Sequence, residues 1–152
     1  MVILDNPCNN ILFYKYLNLS KMGGLFVTYT QALALKELGF DKECFGYYLL
    51  NTLFISNDVV YNSTDIPAIK APLKAQTFEW FRNNHQLFYT IETNCSQLSS
   101  EWGFDYTIYD KEKDKWLSTE PQNCPPGETT YKTYEEAESG CIDKLIEIVK
   151  KK

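Results

Sequence analysis

The clearest alternation of apolar and polar positions sets Trp102, Phe104, Tyr106 and Ile108 against Gly103, Asp105, Thr107 and Tyr109. A period of two is the mark of an extended strand whose two faces meet different surroundings. A similar alternation sets Leu87, Tyr89 and Ile91 against Phe88, Thr90 and Glu92. The charged run Asp110 to Lys115 then predicts a solvated turn, followed by a third antiparallel strand at Trp116 and Leu117.

Three other segments carry helical signals. Thr28-x-x-Gln31 is a capping box ahead of the apolar run from Ala32 to Leu38, and Gly39 closes that helix as a C-cap. Pro72 suits the first turn of a second helix, where its missing N–H would be unpaired anyway, and this helix runs to about Asn84. Within it Phe78, Phe81 and His85 share a face, whereas Trp80 lies about 200° round from Phe78 at about 100° per residue. One of these aromatics is therefore expected at the surface or at an interface. The last helix opens on a second capping box, Thr133-x-x-Glu136. Its Ala137, Cys141, Leu145 and Ile148, with Ile142 and Val149, form a core-facing stripe, and Glu135, Glu138, Asp143, Lys144 and Glu147 point outward. Cys141 thus reads as a small buried hydrophobe. The likeness of Thr28-Tyr29-Thr30-Gln31-Ala32 to Thr133-Tyr134-Glu135-Glu136-Ala137 is too short for a repeat, and shared capping chemistry accounts for it.

The aromatic run from Cys44 to Ile55 reads as a hairpin turning near Asn51, with a helix as the competing reading. Residues 56–71 form a connection, and 118–130, with Pro121, Pro125, Pro126 and Gly127, a loop ending in a short edge strand at 129–132. Residues 1–24 show no clean period and are read as an arm or linker ahead of one domain spanning 25–152. The fold class expected is α+β: a small antiparallel sheet of three or four strands against two or three helices, with the C-terminal half in α-β-β-β-α order.

Composition narrows the function. In 152 residues, 44% are apolar and 15% aromatic, enough to bury a core and exclude wholesale disorder. The net charge of −5, with no basic block before Lys150-Lys151-Lys152, argues against nucleic acid as partner. Those three lysines oppose the negative end of the last helix's dipole. Cys8, Cys44, Cys95, Cys124 and Cys141 include no C-x-x-C pair, so free thiols in a reducing compartment are expected. No apolar stretch approaches a membrane span, and the protein is expected in the cytoplasm.

Catalytic chemistry has little to draw on. His85 is the only histidine. A dyad with Cys95 would need two groups ten residues apart to meet, and a lone histidine at a helix end is more often a structural group. No P-loop, dinucleotide fingerprint, nucleophile elbow or metal-binding histidine spacing is present. No catalytic residue, metal or cofactor is assigned.

Two resemblances bear on the rest. The order of elements from Pro72 to Val149 is similar to that of double-stranded-RNA-binding domains. Where that family sets phosphate-binding lysines at the start of its last helix, this chain has Glu135, Glu136 and Glu138, so RNA binding does not carry over. The stretches 29–40, Cys44-Phe45-Gly46-Tyr47-Tyr48, Trp80-Phe81-Arg82, 133–138 and 145–149 resemble short proteins of no settled activity carried by phages and mobile elements of gut bacteria. That setting implies a non-catalytic binding protein acting against a host defence pathway. One expected target is a small nucleotide-like signal, held by Tyr47, Tyr48, Trp80, Arg82 and Trp116 through ring stacking and an Arg fork on phosphate. The alternative is an interaction module that binds and inhibits a host protein through exposed aromatics, a free sheet edge or its acidic surface. Homo-oligomerisation is compatible with either.

Overall fold

A computed structural model describes residues 22–55, 68–95, 102–118 and 131–152. The expected arm over 1–21, most of the 56–71 connection and the proline-rich loop fall outside the described residues. Within them the chain is α+β, with two three-stranded antiparallel sheets and three α-helices sharing one core. The strands expected in one sheet are thus divided between two.

A 3-10 turn at Gly23–Leu25 delivers Phe26 and Val27 into the core, after which Thr28 caps α1 (Tyr29–Glu37). The expected capping box is present: the Thr28 N–H donates to Gln31 Oε1 at 3.0 Å, and the Gln31 N–H donates to Thr28 Oγ1 at 3.3 Å. Gly39 follows with φ +86, the left-handed conformation that glycine adopts without Cβ strain.

The hairpin reading of 44–55 holds over helix. Strands β1 (Gly46–Leu49) and β2 (Thr52–Ile55) join through Leu50 and Asn51, both at positive φ, as a two-residue primed turn requires. On the other side of β1 lies β3 (Ile69–Ala71), placed at the end of what reads in sequence as connection. Three residues are too few to show a period. Gly46 is demanded by close approach: a Cβ there would come within 2.7 Å of the Phe26 ring and 3.0 Å of the Ala71 carbonyl oxygen.

Pro72 lies before the second helix, not in its first turn. Its carbonyl accepts from the Val27 N–H at 3.1 Å and Leu73 bridges to Phe26, which holds this stretch extended, so α2 spans Lys74–His85. Gln86 ends the helix at φ +55. None of its three aromatics reaches the surface. Phe78 stacks on Tyr89, with ring centroids 3.7 Å apart, and Trp80 packs on Phe40 at 5.6 Å. Two flanks of the helix are therefore buried, and Ala75, Glu79, Arg82, Asn83 and Asn84 hold its exposed side.

From α2 the chain turns directly into the meander β4 (Leu87–Cys95), β5 (Trp102–Asp110) and β6 (Lys115–Ser118). Tyr131 extends the β6 side of β5 by an isolated bridge to Phe104, and residues 129–130 of the expected edge strand fall outside the described residues. Finally α3 (Tyr134–Lys150) starts on the expected Thr133–Glu136 capping box. Ala137, Cys141, Ile142, Leu145 and Ile146 are buried, whereas Ile148 and Val149 pack only at the core's margin.

Polar links clamp the three helices together. The buried Gln31 donates from Nε2 to Ser139 O at 3.0 Å and to Asp143 Oδ1 at 2.9 Å. Lys74, also buried, donates to Glu135 O at 3.0 Å and to Glu138 Oε2 at 3.4 Å. Glu138 therefore turns toward α2 instead of outward. Buried polar groups persist when their partners are supplied, and here the partners come from a neighbouring helix.

Candidate functional site

In the β4–β5–β6 sheet the side chains sort onto two faces. Leu87, Tyr106, Ile108 and Asp110 are buried on one, where Tyr89 meets Phe78 of α2 and Phe104 meets the edge of Tyr134 of α3. The other face follows from the ladder register and carries three cross-strand rows. The first is Phe88–Tyr109–Trp116, the second Thr90–Thr107 and the third Glu92–Asp105. An aromatic row, a hydroxyl row and an acidic row thus lie in sequence across the face opposite α2 and α3.

The aromatic row is built firmly. Tyr109 and Trp116 pack with ring centroids 4.9 Å apart, and Trp116 remains 62% exposed. The Tyr109 hydroxyl donates to Asp114, a bond that holds the phenol's pKa above its ordinary value. Thr90 and Thr107 share a hydrogen bond at 2.6 Å. The β5–β6 turn that sets Trp116 opposite Tyr109 is organised by Asp110, whose Oδ1 accepts the N–H groups of Glu112 at 3.1 Å and Lys113 at 3.3 Å. Lys152 lies 3.7 Å from Asp110 Oδ2 and 2.7 Å from Glu112 Oε2. That pairing raises the lysine's pKa, led by the bond to Glu112.

The five residues singled out from sequence separate. Tyr48 is 8% exposed, and its hydroxyl donates to Val27 O at 2.7 Å while its ring meets the edge of Tyr29, so it fastens β1 to the segment before α1. Tyr47 points to the opposite face of β1 and stacks on Phe54 of β2. Trp80 is 4% exposed in the core. Arg82, two positions further along α2, is exposed. Trp116 belongs to the aromatic row on the second sheet. Phe88 and Tyr109 escaped the sequence reading. The available signal was that both are aromatic in the solvent-side phase of their strands, but only the register joins them to Trp116.

Two clefts are described. One, about 350 Å³, lies between the α1–β1 connection and α2 and is lined by Lys42, Glu43, Gln76, Glu79, Trp80, Asn83 and Asn84. The other, about 230 Å³, lies beside α1 and includes Leu35, Phe40 and Lys70. Trp80 is the only one of the five that lines either, and the larger cleft sets two carboxylates against one ammonium group.

His85 packs its ring against Trp80 at 4.6 Å, and burial, with the nearby Lys152 ammonium, lowers its pKa. The side chain of Cys95 lies outside the described residues. Its backbone ends β4, eight residues on from Leu87, which at about 3.3 Å per residue is about 26 Å away, so the strand holds these two positions apart. Burial raises the thiol pKa of Cys44 to about 11, against a smaller lowering by Lys70, and pushes that of Cys141 up as well. Neither is a ready nucleophile. Among the described residues no group of three or more His, Cys, Asp or Glu is placed to hold a metal ion, and no helix is long and apolar enough to cross a membrane. Comparison with protein-family models, with curated proteins and with solved structures finds no match.

Proposed function

We propose that this is a non-catalytic interaction module that binds a target protein through the outer face of the β4–β5–β6 sheet. The observation supporting it is the in-register aromatic row Phe88–Tyr109–Trp116 on the face turned away from α2 and α3, with Trp116 largely exposed. Large aromatics held rigidly at a surface lose little conformational entropy on binding and are enriched among residues that dominate interface energetics. The exposed Glu92 beyond them favours a target that seats an apolar group over the rings and a basic group on that carboxylate.

In the phage or mobile-element setting suggested by resemblance, the target is a host defence protein met in the bacterial cytoplasm and inhibited by being covered. Homo-oligomerisation fits this reading, since each added copy presents another such face. The nucleotide-like ligand reading has less support, because the rings and Arg82 it requires are dispersed and the one cleft that includes Trp80 is carboxylate-rich.

The test places a photo-crosslinking amino acid at position 109 and compares proteins captured from host lysate with and without Trp116→Ala. The expected result is a stoichiometric partner lost with Trp116→Ala and retained with Arg82→Ala, both variants remaining folded. Capture unchanged by Trp116→Ala would overturn the proposal. A thermal-shift screen with nucleotides and cyclic nucleotides, if it gave a shift abolished by Arg82→Ala, would favour the ligand reading instead.

A further inference from the structure

We propose that two copies of the chain pair through the free edges of β4, antiparallel about a two-fold axis, to form one continuous six-stranded sheet. The argument begins with which backbone groups β4 leaves unused. Phe104 donates its N–H to Tyr131 O at 2.8 Å and accepts from the Tyr131 N–H at 3.1 Å, so its main chain bonds away from β4. Neighbouring residues of an antiparallel strand turn their N–H and C=O groups to alternate sides. Gly103, Asp105, Thr107 and Tyr109 therefore bond toward β4, and Asn94, Glu92, Thr90 and Phe88 are their partners. The Lys111 N–H to Gln86 O bond, 3.1 Å, continues the same phase. What remains is a row of outward-facing N–H and C=O groups at Leu87, Tyr89, Ile91, Thr93 and Cys95. No backbone bond from another described residue reaches them.

Among the described residues this edge lacks the usual protection. Strand edges in soluble proteins are kept short or are guarded by Pro, Lys, bulges or a covering element. Strand β6 has four residues and begins with Lys115, and β2 has four. Strand β3 has three residues, and just beyond it Leu73 and Pro72 are taken by Phe26 and Val27. Strand β4 runs for nine residues in unbroken register, without Pro, Gly or Lys, and Glu92 is its single charge.

Self-pairing suits that sequence. A two-fold axis at Ile91 pairs all nine residues and sets Ile91 opposite Ile91 of the second copy. It also places Glu92 across from Thr90 instead of from a second Glu92, so the edge's one charge meets a hydroxyl. The aromatic rows of the two copies then lie on the same face of a single sheet. This inference concerns the purified chain alone and does not depend on the binding role of Trp116.

The test is sedimentation or light scattering on the purified full-length protein across micromolar to near-millimolar concentrations. The wild type is expected at twice the chain mass. Thr93→Pro is expected to be monomeric with an unchanged circular dichroism spectrum, because the N–H it removes faces outward and Pro is tolerated at strand edges. Two charge variants at one exposed position should move the equilibrium in opposite directions. Thr90→Lys, facing Glu92 of the second copy, strengthens dimerisation about fivefold, and Thr90→Glu weakens it about fivefold. A monomeric wild type at the highest concentration, or Thr93→Pro dimerising like wild type, would overturn the proposal. So would Thr90→Lys and Thr90→Glu shifting the equilibrium in the same direction. Trp116→Ala should leave the dimer intact, so loss of partner capture and loss of dimerisation are read separately.

Discussion

Trp80 and Trp116 are chemically identical and were equally eligible as ligand contacts, yet their surroundings predict very different responses to truncation. With Trp80 4% exposed, about 240 Å² of a side chain that buries up to about 250 Å² is removed from water. At about 25 cal/mol per Å² this has an upper bound of about 6 kcal/mol against an extended chain, and buried Trp→Ala changes cost about 3–5 kcal/mol. Trp116, at 62% exposed and packed against Tyr109, has about 95 Å² covered, for an upper bound of about 2.4 kcal/mol. Without a core cavity to leave behind, Trp116→Ala is expected to cost about 1 kcal/mol. Urea denaturation should be followed by far-UV circular dichroism, since the substitutions remove fluorophores. Trp80→Phe, expected to lose less than Trp80→Ala, keeps the comparison measurable if the alanine variant does not fold. A Trp80→Ala cost below about 1 kcal/mol, or a Trp116→Ala cost equal to it, would refute this assignment of core and surface.

Three further outcomes follow from particular contacts. Tyr48→Phe removes the hydroxyl that satisfies Val27 O and should lower stability by about 1 kcal/mol without a structural change, measured by denaturant midpoint at constant slope. Lys74→Met and Glu138→Gln should be non-additive in a double-mutant cycle. Lys74→Met alone is expected to cost about 2 kcal/mol, because Glu135 O and Glu138 both lose a donor at a half-buried helix junction, and additivity would mean that the pair does not interact. The folded-state pKa of His85 is lowered, chiefly by burial and further by Lys152, so the unfolded chain binds the proton more readily. Stability should therefore fall as pH drops through the ordinary histidine range near about 6.5, and level off below the lowered folded-state value. His85→Gln should flatten that slope between about pH 7.5 and 5.5 in thermal melts, and an unchanged slope would place its origin elsewhere.

Much of the local structure was legible from sequence because its causes are local. Both capping boxes join residues three apart, Gly39 meets a need of its own backbone, and Asn51 is a residue type that tolerates the positive φ its turn requires. The meander was legible because a half-buried strand must alternate. Where the reading went astray, the deciding contact was distant. Pro72 is kept out of α2 by Val27, Glu138 is drawn inward by Lys74, and Trp80 is covered by Phe40.

The candidate surface shows the same division. By itself the sequence determined that Phe88, Tyr109 and Trp116 lie on strands or beside them, that the chain is acidic, and that it has a single histidine. Only the tertiary structure decided that these three rings form one row while Tyr48 and Trp80 belong to the core. Strand register and helix packing are set by the sum of many weak, distant contacts, and no pattern along the chain records which partners those contacts will select.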